Sequence, residues 1–347
     1  MRTILPFTIL AAILSGANAI HLLGRVNPSN QELTWPGTGI SFSFTGTTAT
    51  IHLNTITGTN SAELTTDGIA TIIPNINTTS ITTPANLTHG THTITLRKRS
   101  EALYGSLTIG NITTDGTLIP DAPPSRKIEV IGDSITVGYG LDGTLPCTNS
   151  AALENNPKTY AALSAQALKA DYSIIAWSGI GLTRNYVSTT PDPSPVMPVR
   201  WTRYGANDAD DSYTFPKAAV PDVVVINLGT NDFSYLGVRE PLNATVYTDA
   251  MVEFVGVVNK HYPDATFFLV TSPMLSDAYP EGQAQKYTQT SALKAAIEVL
   301  GGMEVKVHLV EWPTQGSDVG CDYHPNAATH AVEAEVLADA IAEVMSW

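Results

Sequence analysis

The chain is poor in charge. Only 14% of its 347 residues are charged, with 18 Lys and Arg against 32 Asp and Glu, a formal net charge of −14. Such a shortage of cations excludes the electrostatic footprint of a nucleic-acid binder or of a protein held on an anionic membrane surface. Cysteine is scarce as well. Cys147 and Cys321 are the only two, too few for a disulfide-dense scaffold, and neither has a second Cys at ligand spacing, so no metal site is expected even with His324 close to Cys321. Long apolar runs are missing: Ile4–Leu14 falls short of the roughly 20 residues that a membrane span requires, and no other segment approaches that length. The Gly-x-Ser-x-Gly elbow of the α/β-hydrolases does not occur either, which argues against that fold.

The short apolar run instead reads as part of a secretory signal over residues 1–19. Arg2 supplies the positive end and Ala17-Asn18-Ala19 the small-residue cleavage site. The mature chain is expected to begin near Ile20 and to be secreted as an extracellular monomer. Asn77, Asn86, Asn111 and Asn243 each open an Asn-x-Ser/Thr acceptor, in keeping with export and N-glycosylation. In an oxidising compartment an even pair of cysteines defaults to a disulfide, Cys147 with Cys321.

The length allows two hydrophobic cores. From Ile20 to Gly116 the chain holds short alternating runs, ISFSF at Ile40–Phe44, ATIHL at Ala49–Leu53 and HTITL at His92–Leu96, separated by Gly-, Asn- and Asp-rich turns. That spacing predicts an all-β sandwich or jelly roll. His89 and His92 are expected to face solvent, and Arg97-Lys98-Arg99 to mark a solvated strand edge. Residues 117–126 (TLIPDAPPSR) read as a stiff linker. Beyond it, predicted strands at Lys127–Ile131, Ser173–Trp177, Val223–Leu228, Thr266–Thr271 and Val305–Trp312 alternate with helical patterns over Thr159–Lys169, Tyr247–His261, Gln283–Leu300 and Asn326–Met345. Alternation of this kind implies a parallel sheet covered on both faces, an α/β domain over residues 127–347. An insertion at Ser188–Lys217 has no clear pattern and could form a lid or a rim.

The chemistry concentrates where predicted strands end. KIEVIGDSITVGYG at Lys127–Gly140 carries Ile128, Val130 and Ile131 into Gly132-Asp133-Ser134, leaving a hydroxyl at the carboxyl end of a buried strand, where open α/β sheets bind ligands. A Ser there becomes a nucleophile if a base and an oxyanion site meet it. Two later stretches can supply them, NLGTNDFS at Asn227–Ser234 and CDYHPN at Cys321–Asn326. Pro325 disfavours helical backbone at His324, and Asn326 is a good cap for the last helix, so the imidazole is placed on a loop at a helix start.

Gly132-Asp133-Ser134, Gly179, Gly229-Thr230-Asn231-Asp232 and His324-Pro325 resemble the ordered blocks of the SGNH (GDSL-type) hydrolases. The wider context is most similar to the carbohydrate esterase family 2 acetylesterases, which place a small β-sandwich before the SGNH domain. The resemblance implies a three-layer α/β/α catalytic domain, Ser134 as nucleophile, His324 as base, and an oxyanion site made of the Ser134 and Gly179 N–H groups and the Asn231 amide. Many SGNH enzymes carry an Asp three residues before the His; here that position is Cys321, so the candidates to orient His324 are Asp322, more weakly Asp318, or a backbone carbonyl in a Ser–His dyad. Family members carry Cys at similar places, which supports the Cys147–Cys321 pairing. The implied activity removes O-acetyl groups from xylan or glucomannan and needs no cofactor. A lipase or general carboxylesterase and a catalytically dead carbohydrate-binding protein are the alternatives. Tyr323 is the first choice for stacking on a sugar, with Tyr139, Trp177 and Phe233 as further candidates and core packing the competing role for Trp177.

Overall fold

The computed structural model describes residues 19–120, 123–187, 192–209, 211–234 and 237–347. All of the leader expected over residues 1–19 except its last residue therefore lies outside the described residues. Ten strands come first: β1 (Ile20–Leu23), β2 (Glu32–Leu33), β3 (Gly39–Gly46), β4 (Ala49–Gly58), β5 (Ala62–Thr66), β6 (Ile69–Ile73), β7 (Ser80–Thr82), β8 (Gly90–Lys98), β9 (Gly105–Thr114) and β10 (Thr117–Ile119). They form two antiparallel sheets, β1-β3-β8-β5-β6 with β10 also on β3, and β2-β9-β4-β7. Period-two patterning builds the core between them: Ile40, Phe42 and Phe44 of β3, Ile51 and Leu53 of β4, and Ile94 and Leu96 of β8 all point into one buried cluster.

β10 was expected in the linker. It forms because β1 pairs only with Gly39–Phe42 of β3, and Thr117–Ile119 take up the open backbone groups of Ser43–Thr45 on the same edge.

The second half follows as β11 (Lys127–Gly132), α1 (Ser134–Val137), α2 (Tyr160–Ala167), β12 (Asp171–Ala176), α3 (Met197–Arg200), β13 (Val223–Asn227), α4 (Thr230–Phe233), α5 (Ala244–His261), β14 (Thr266–Val270), α6 (Gln285–Gly302), β15 (Val307–Val310) and α7 (Ala327–Met345). The strands make one parallel sheet in the order β12-β11-β13-β14-β15. Each strand divides its residues between two cores. Val224, Ile226, Phe267 and Leu269 pack under α5 and α6, and Val223, Val225, Phe268 and Val270 pack under α2 and α7. Continuous β-branched runs are what a strand buried on both faces requires.

Three local expectations fail, two of them because the β-sandwich and the parallel sheet share a buried seam. His92 is not solvent-facing; its ring is buried between the Asp67 carboxylate at 2.6 Å and the Thr88 carbonyl at 2.8 Å, whereas His89 is exposed. Arg97-Lys98-Arg99 is not a solvated edge. Lys98 and Arg99 are fully buried, Arg97 lies 3.8 Å over the Tyr172 ring, and Arg99 pairs with Asp142 across the seam. The insertion over 188–217 is not a lid in its described part. Met197, Trp201 and Ala206 are core residues; the Trp35 indole donates to the Tyr204 carbonyl at 2.8 Å, and the Ala206 N–H to Thr34 Oγ1 at 2.9 Å.

Glu129, in the middle of β11, exemplifies the seam. Its carboxylate is buried, accepts from Arg25 at 2.9 Å and from the Trp201 indole at 2.7 Å, and so joins the sandwich, the sheet and the insertion. Removing one partner of a buried pair strands the other charge. We therefore expect Arg25→Ala to lower unfolding stability by about 3–5 kcal/mol in chemical denaturation, and the double variant Arg25→Met/Glu129→Met to recover most of the loss.

Candidate active site

The sheet register assembles the site. Gly132 at the end of β11 is level with Ala176 of β12 on one side and Asn227 of β13 on the other. The chain therefore leaves three adjacent strands at one height, bringing Ser134, the Trp177–Ile180 loop and the Gly229–Asp232 block together. Gly132 has to be Gly: a Cβ there would lie 1.9 Å from Thr136 Oγ1. Asp133 caps α1, accepting from the Ile135 N–H at 3.0 Å. Ser134 is then the first residue of α1, so its own N–H has no partner within the helix. Burial pushes the Asp133 carboxyl up to about 7.

His324 arrives from the far end of the chain. Its Nε2 lies 2.8 Å from Ser134 Oγ, and its Nδ1 lies 3.2 Å from the backbone carbonyl of Asp322. A carbonyl only accepts, so Nδ1 carries the proton and Nε2 faces the hydroxyl with its lone pair. The Asp322 carboxylate does not orient the imidazole. It is turned away and accepts from the Tyr139 hydroxyl at 3.0 Å and the Asn149 N–H at 3.1 Å. Asp318 contributes only its carbonyl, to the Asn326 side chain. Burial pushes His324 down to about 4, which keeps the ring neutral near pH 7.

The His324 loop is tied down on all sides. Cys147 and Cys321 are joined across a sequence separation of 174. The Cys321 N–H donates to Gly140 O at 3.1 Å, the Asp322 N–H to Cys147 O at 3.2 Å, and the Gly320 N–H to His324 O at 2.8 Å. The Tyr139 ring lies against the imidazole, with centroids 4.2 Å apart, so Tyr139 supports His324 rather than standing free for a sugar.

On the other side, Gly179 has a φ of +80°, which favours glycine. The Asn231 amide is buried; it donates to Ile180 O at 2.9 Å and lies 3.4 Å from the Asp133 carboxylate, linking the three blocks. Further residues lock this wall, Asp232 from within the motif block and Arg239 from outside any motif. Asp232 accepts from the N–H groups of Leu182, Thr183 and Arg184, and Arg239 reaches the carbonyls of Asn231, Ser234 and Asn185. Only the position of Asp232, next to Asn231, hinted at its use. Tyr186, whose N–H donates to Gly179 O at 2.7 Å, stands exposed beside the loop.

Of the aromatics, Tyr323 is the one beside His324 that is open, 68% exposed. Phe233 is buried against Tyr247, and Trp177 is buried with the Arg200 guanidinium 4.0 Å over its ring. Both belong to the core and cannot stack on a sugar. Trp201 and Trp312 are buried as well. Asn77, Asn86, Asn111 and Asn243 are all exposed. Among the described residues there is no cluster of metal-ligating side chains and no helix long and apolar enough to cross a membrane.

A parallel sheet with Ser, Gly, Asn and His converging at its carboxyl edge defines a GDSL-like hydrolase, and residues 130–332 match the GDSL-like Lipase/Acylhydrolase family. Residues 22–123 match the Carbohydrate esterase 2 N-terminal family. A solved carbohydrate esterase family 2 enzyme with a carbohydrate binding domain, from Corynascus thermopiles (Myceliophthora fergusii), is 62% identical; the match covers 95% of this chain and 100% of that one, with a TM-score of 0.92. An acetylxylan esterase / glucomannan deacetylase of Cellvibrio japonicus is 31% identical over 92% of this chain and 89% of its own length. The cellulase/esterase CelE of Acetivibrio thermocellus is 34% identical over 92% of this chain, which spans 38% of that longer protein. The chain belongs to carbohydrate esterase family 2, and is a hydrolase.

Orientation by a carbonyl instead of a carboxylate has a measurable consequence. Asn at position 322 keeps the carbonyl, suits the left-handed backbone and retains an oxygen for Tyr139 and Asn149 to bond. Asp322→Asn is expected to keep kcat on 4-nitrophenyl acetate within about tenfold, whereas loss of an orienting carboxylate costs about 10⁴.

Proposed function

We propose that the protein is a secreted serine esterase that removes O-acetyl groups from plant cell-wall polysaccharides such as xylan and glucomannan. The observation that carries the reading is the 2.8 Å approach of His324 Nε2 to Ser134 Oγ. Ser134 Oγ attacks the acetyl carbonyl as His324 Nε2 takes its proton. The N–H groups of Ser134 and Gly179, with the Asn231 amide, stabilise the oxyanion. Collapse expels the sugar oxygen, which takes the proton from His324, and leaves an acetyl-Ser134. Water, deprotonated by the same nitrogen, attacks the acetyl carbonyl; the bond to Ser134 Oγ breaks, Oγ takes the proton back from His324, and acetate is released. Every step uses side-chain and backbone groups of the chain itself, with no cofactor.

The substrate class is supported by the name of the Cellvibrio relative and by the open face of Tyr323 beside the base and of Tyr186 beside the Gly179 loop. Export is supported by the leader pattern, the disulfide and the four exposed acceptor asparagines. Asn243 accepts from the Thr245 N–H through its carbonyl oxygen as the cap of α5, leaving its Nδ2 for a glycan.

Ser134→Ala is expected to abolish acetate release from acetylated xylan with the melting temperature unchanged, and Asn231→Ala to lower kcat about 10²–10³-fold with a smaller change in KM. Full turnover by Ser134→Ala would end the proposal, a preference for long-chain 4-nitrophenyl esters would select a lipase, and binding without turnover a carbohydrate-binding protein. The pH profile is a second check. Only neutral His324 accepts the proton, and its pKa is depressed, so kcat/KM should stay level as pH falls through the ordinary histidine range near 6.5 and decline only towards about 4.

A further inference from the structure

We propose that Glu101, supplied by the β-sandwich, is a positioning residue of the active site that braces the Gly179 loop on one side and the His324 loop on the other. This deepens the esterase reading and rests on it.

Glu101 follows the buried end of β8 and is itself fully buried at the seam. Its carboxylate Oε2 accepts from the N–H of Ser178 at 2.9 Å. Ser178 immediately precedes Gly179, so this bond fixes the backbone on which the proposed Gly179 donor is carried. The backbone N–H of Glu101 donates to Glu154 Oε2 at 2.6 Å. The other oxygen of Glu154 accepts from Asn149 Nδ2 at 2.8 Å. Asn149 then reaches both catalytic loops: its Oδ1 accepts from the Gly140 N–H at 2.8 Å, and its backbone N–H donates to the Asp322 carboxylate at 3.1 Å. Asp322 in turn offers the carbonyl that holds His324 Nδ1.

Two buried carboxyls this close are expensive, because burial opposes the charge of each and pushes both upward. The only ammonium buried with them, that of Lys98, is spent on the carbonyls of Ser100 and Glu101. Simple adhesion between the two halves does not need such an arrangement. Arg99–Asp142 and Arg25–Glu129 already provide it. What distinguishes Glu101 and Glu154 is where their bonds lead: Glu101 to Ser178, the residue before Gly179, and Glu154 to Asn149, which in turn bonds the Asp322 carboxylate.

The test compares Glu101→Ala, Glu101→Gln, Asn149→Ala and Asp142→Asn in the full chain on 4-nitrophenyl acetate, with folding followed by circular dichroism. Gln keeps an oxygen for the Ser178 N–H; Asp142→Asn weakens the seam at Arg99, and Asp142 makes no bond to Glu101, Ser178, Glu154, Asn149 or Asp322. Glu101→Ala and Asn149→Ala are expected to lower kcat about 10–100-fold, the scale of a misplaced reacting group, with KM changed less than threefold. Glu101→Gln should recover most of the rate, and Asp142→Asn should lose stability with kcat unchanged. The His324 Nδ1–H proton resonance, assigned by its loss in His324→Ala, should shift or broaden in Asn149→Ala and keep its place in Asp142→Asn. A folded Glu101→Ala with wild-type kcat, or Glu101→Ala and Asp142→Asn losing rate equally, would overturn the proposal. Should Glu101→Ala fail to fold, an unchanged rate and resonance in Asn149→Ala would overturn it instead. Turnover by Ser134→Ala would instead remove the esterase reading, and the resonance would still judge the relay.

Discussion

The catalytic geometry depends on the backbone of one tight turn. Asp322 and Tyr323 both sit in the left-handed region, with φ of +51° and +67°, a conformation that costs about 1–2 kcal/mol for each non-glycine residue. The turn points the Asp322 carbonyl back at His324 Nδ1 while the Asp322 carboxylate faces the opposite way. A regular extended approach would leave the imidazole without an orienting acceptor. The cost is tolerated because the turn is held from three directions, by the disulfide to Cys147, by the two donors on the Asp322 carboxylate and by the closure between Gly320 and His324. The Asp that looks from its position like a triad member thus serves His324 through its main chain, and its side chain holds that main chain in place.

A chain with so few charges places a large share of them inside. Arg25, Lys98, Arg99, Glu101, Glu129 and Glu154 are all buried, and each makes contacts at the seam between the sandwich and the parallel sheet. Trp35 and Ala102, from the sandwich half, lie in the same apolar cluster as Trp177, Trp201 and Phe254. The two halves therefore share a core, which removes the freedom of relative motion expected when domains meet over a small polar interface. The sandwich forms part of the wall behind the catalytic loops.

Sequence reasoning went astray where distant segments pack together, at this seam and within each half. Local pattern cannot tell a charged strand end facing water from one facing a second domain, so Arg97-Lys98-Arg99 read as solvated. His92 followed the alternation of its strand, but its burial comes from Asp67, a turn residue 25 positions away. Phe233 and Trp177 stand beside motif residues in the chain, yet their rings point into the helix layer, because neighbours along a turn need not share a face. Arg239, which reaches backbone carbonyls, and Asn149, which bonds the Gly140 N–H and the carboxylates of Glu154 and Asp322, carry no recognisable signal at all.

Short-range chemistry was legible. Alternation placed strands of the sandwich at Ile40–Phe44, Ala49–Leu53 and His92–Leu96, continuous apolar runs placed those of the parallel sheet, helical spacing placed the long helices, Asn326 marked the start of the last one, and four short motifs in order were enough to point to Ser134, His324, Gly179 and Asn231. These features depend on a few neighbouring residues whose sterics and polarity act within one turn or one strand. The tertiary structure alone decided which groups meet: the register that sets Gly132 level with Ala176 and Asn227, the carbonyl that replaces a carboxylate behind His324, and the buried charges that join the two halves. Each of these is a contact between segments that the chain keeps far apart, and only packing in three dimensions brings them within hydrogen-bonding distance.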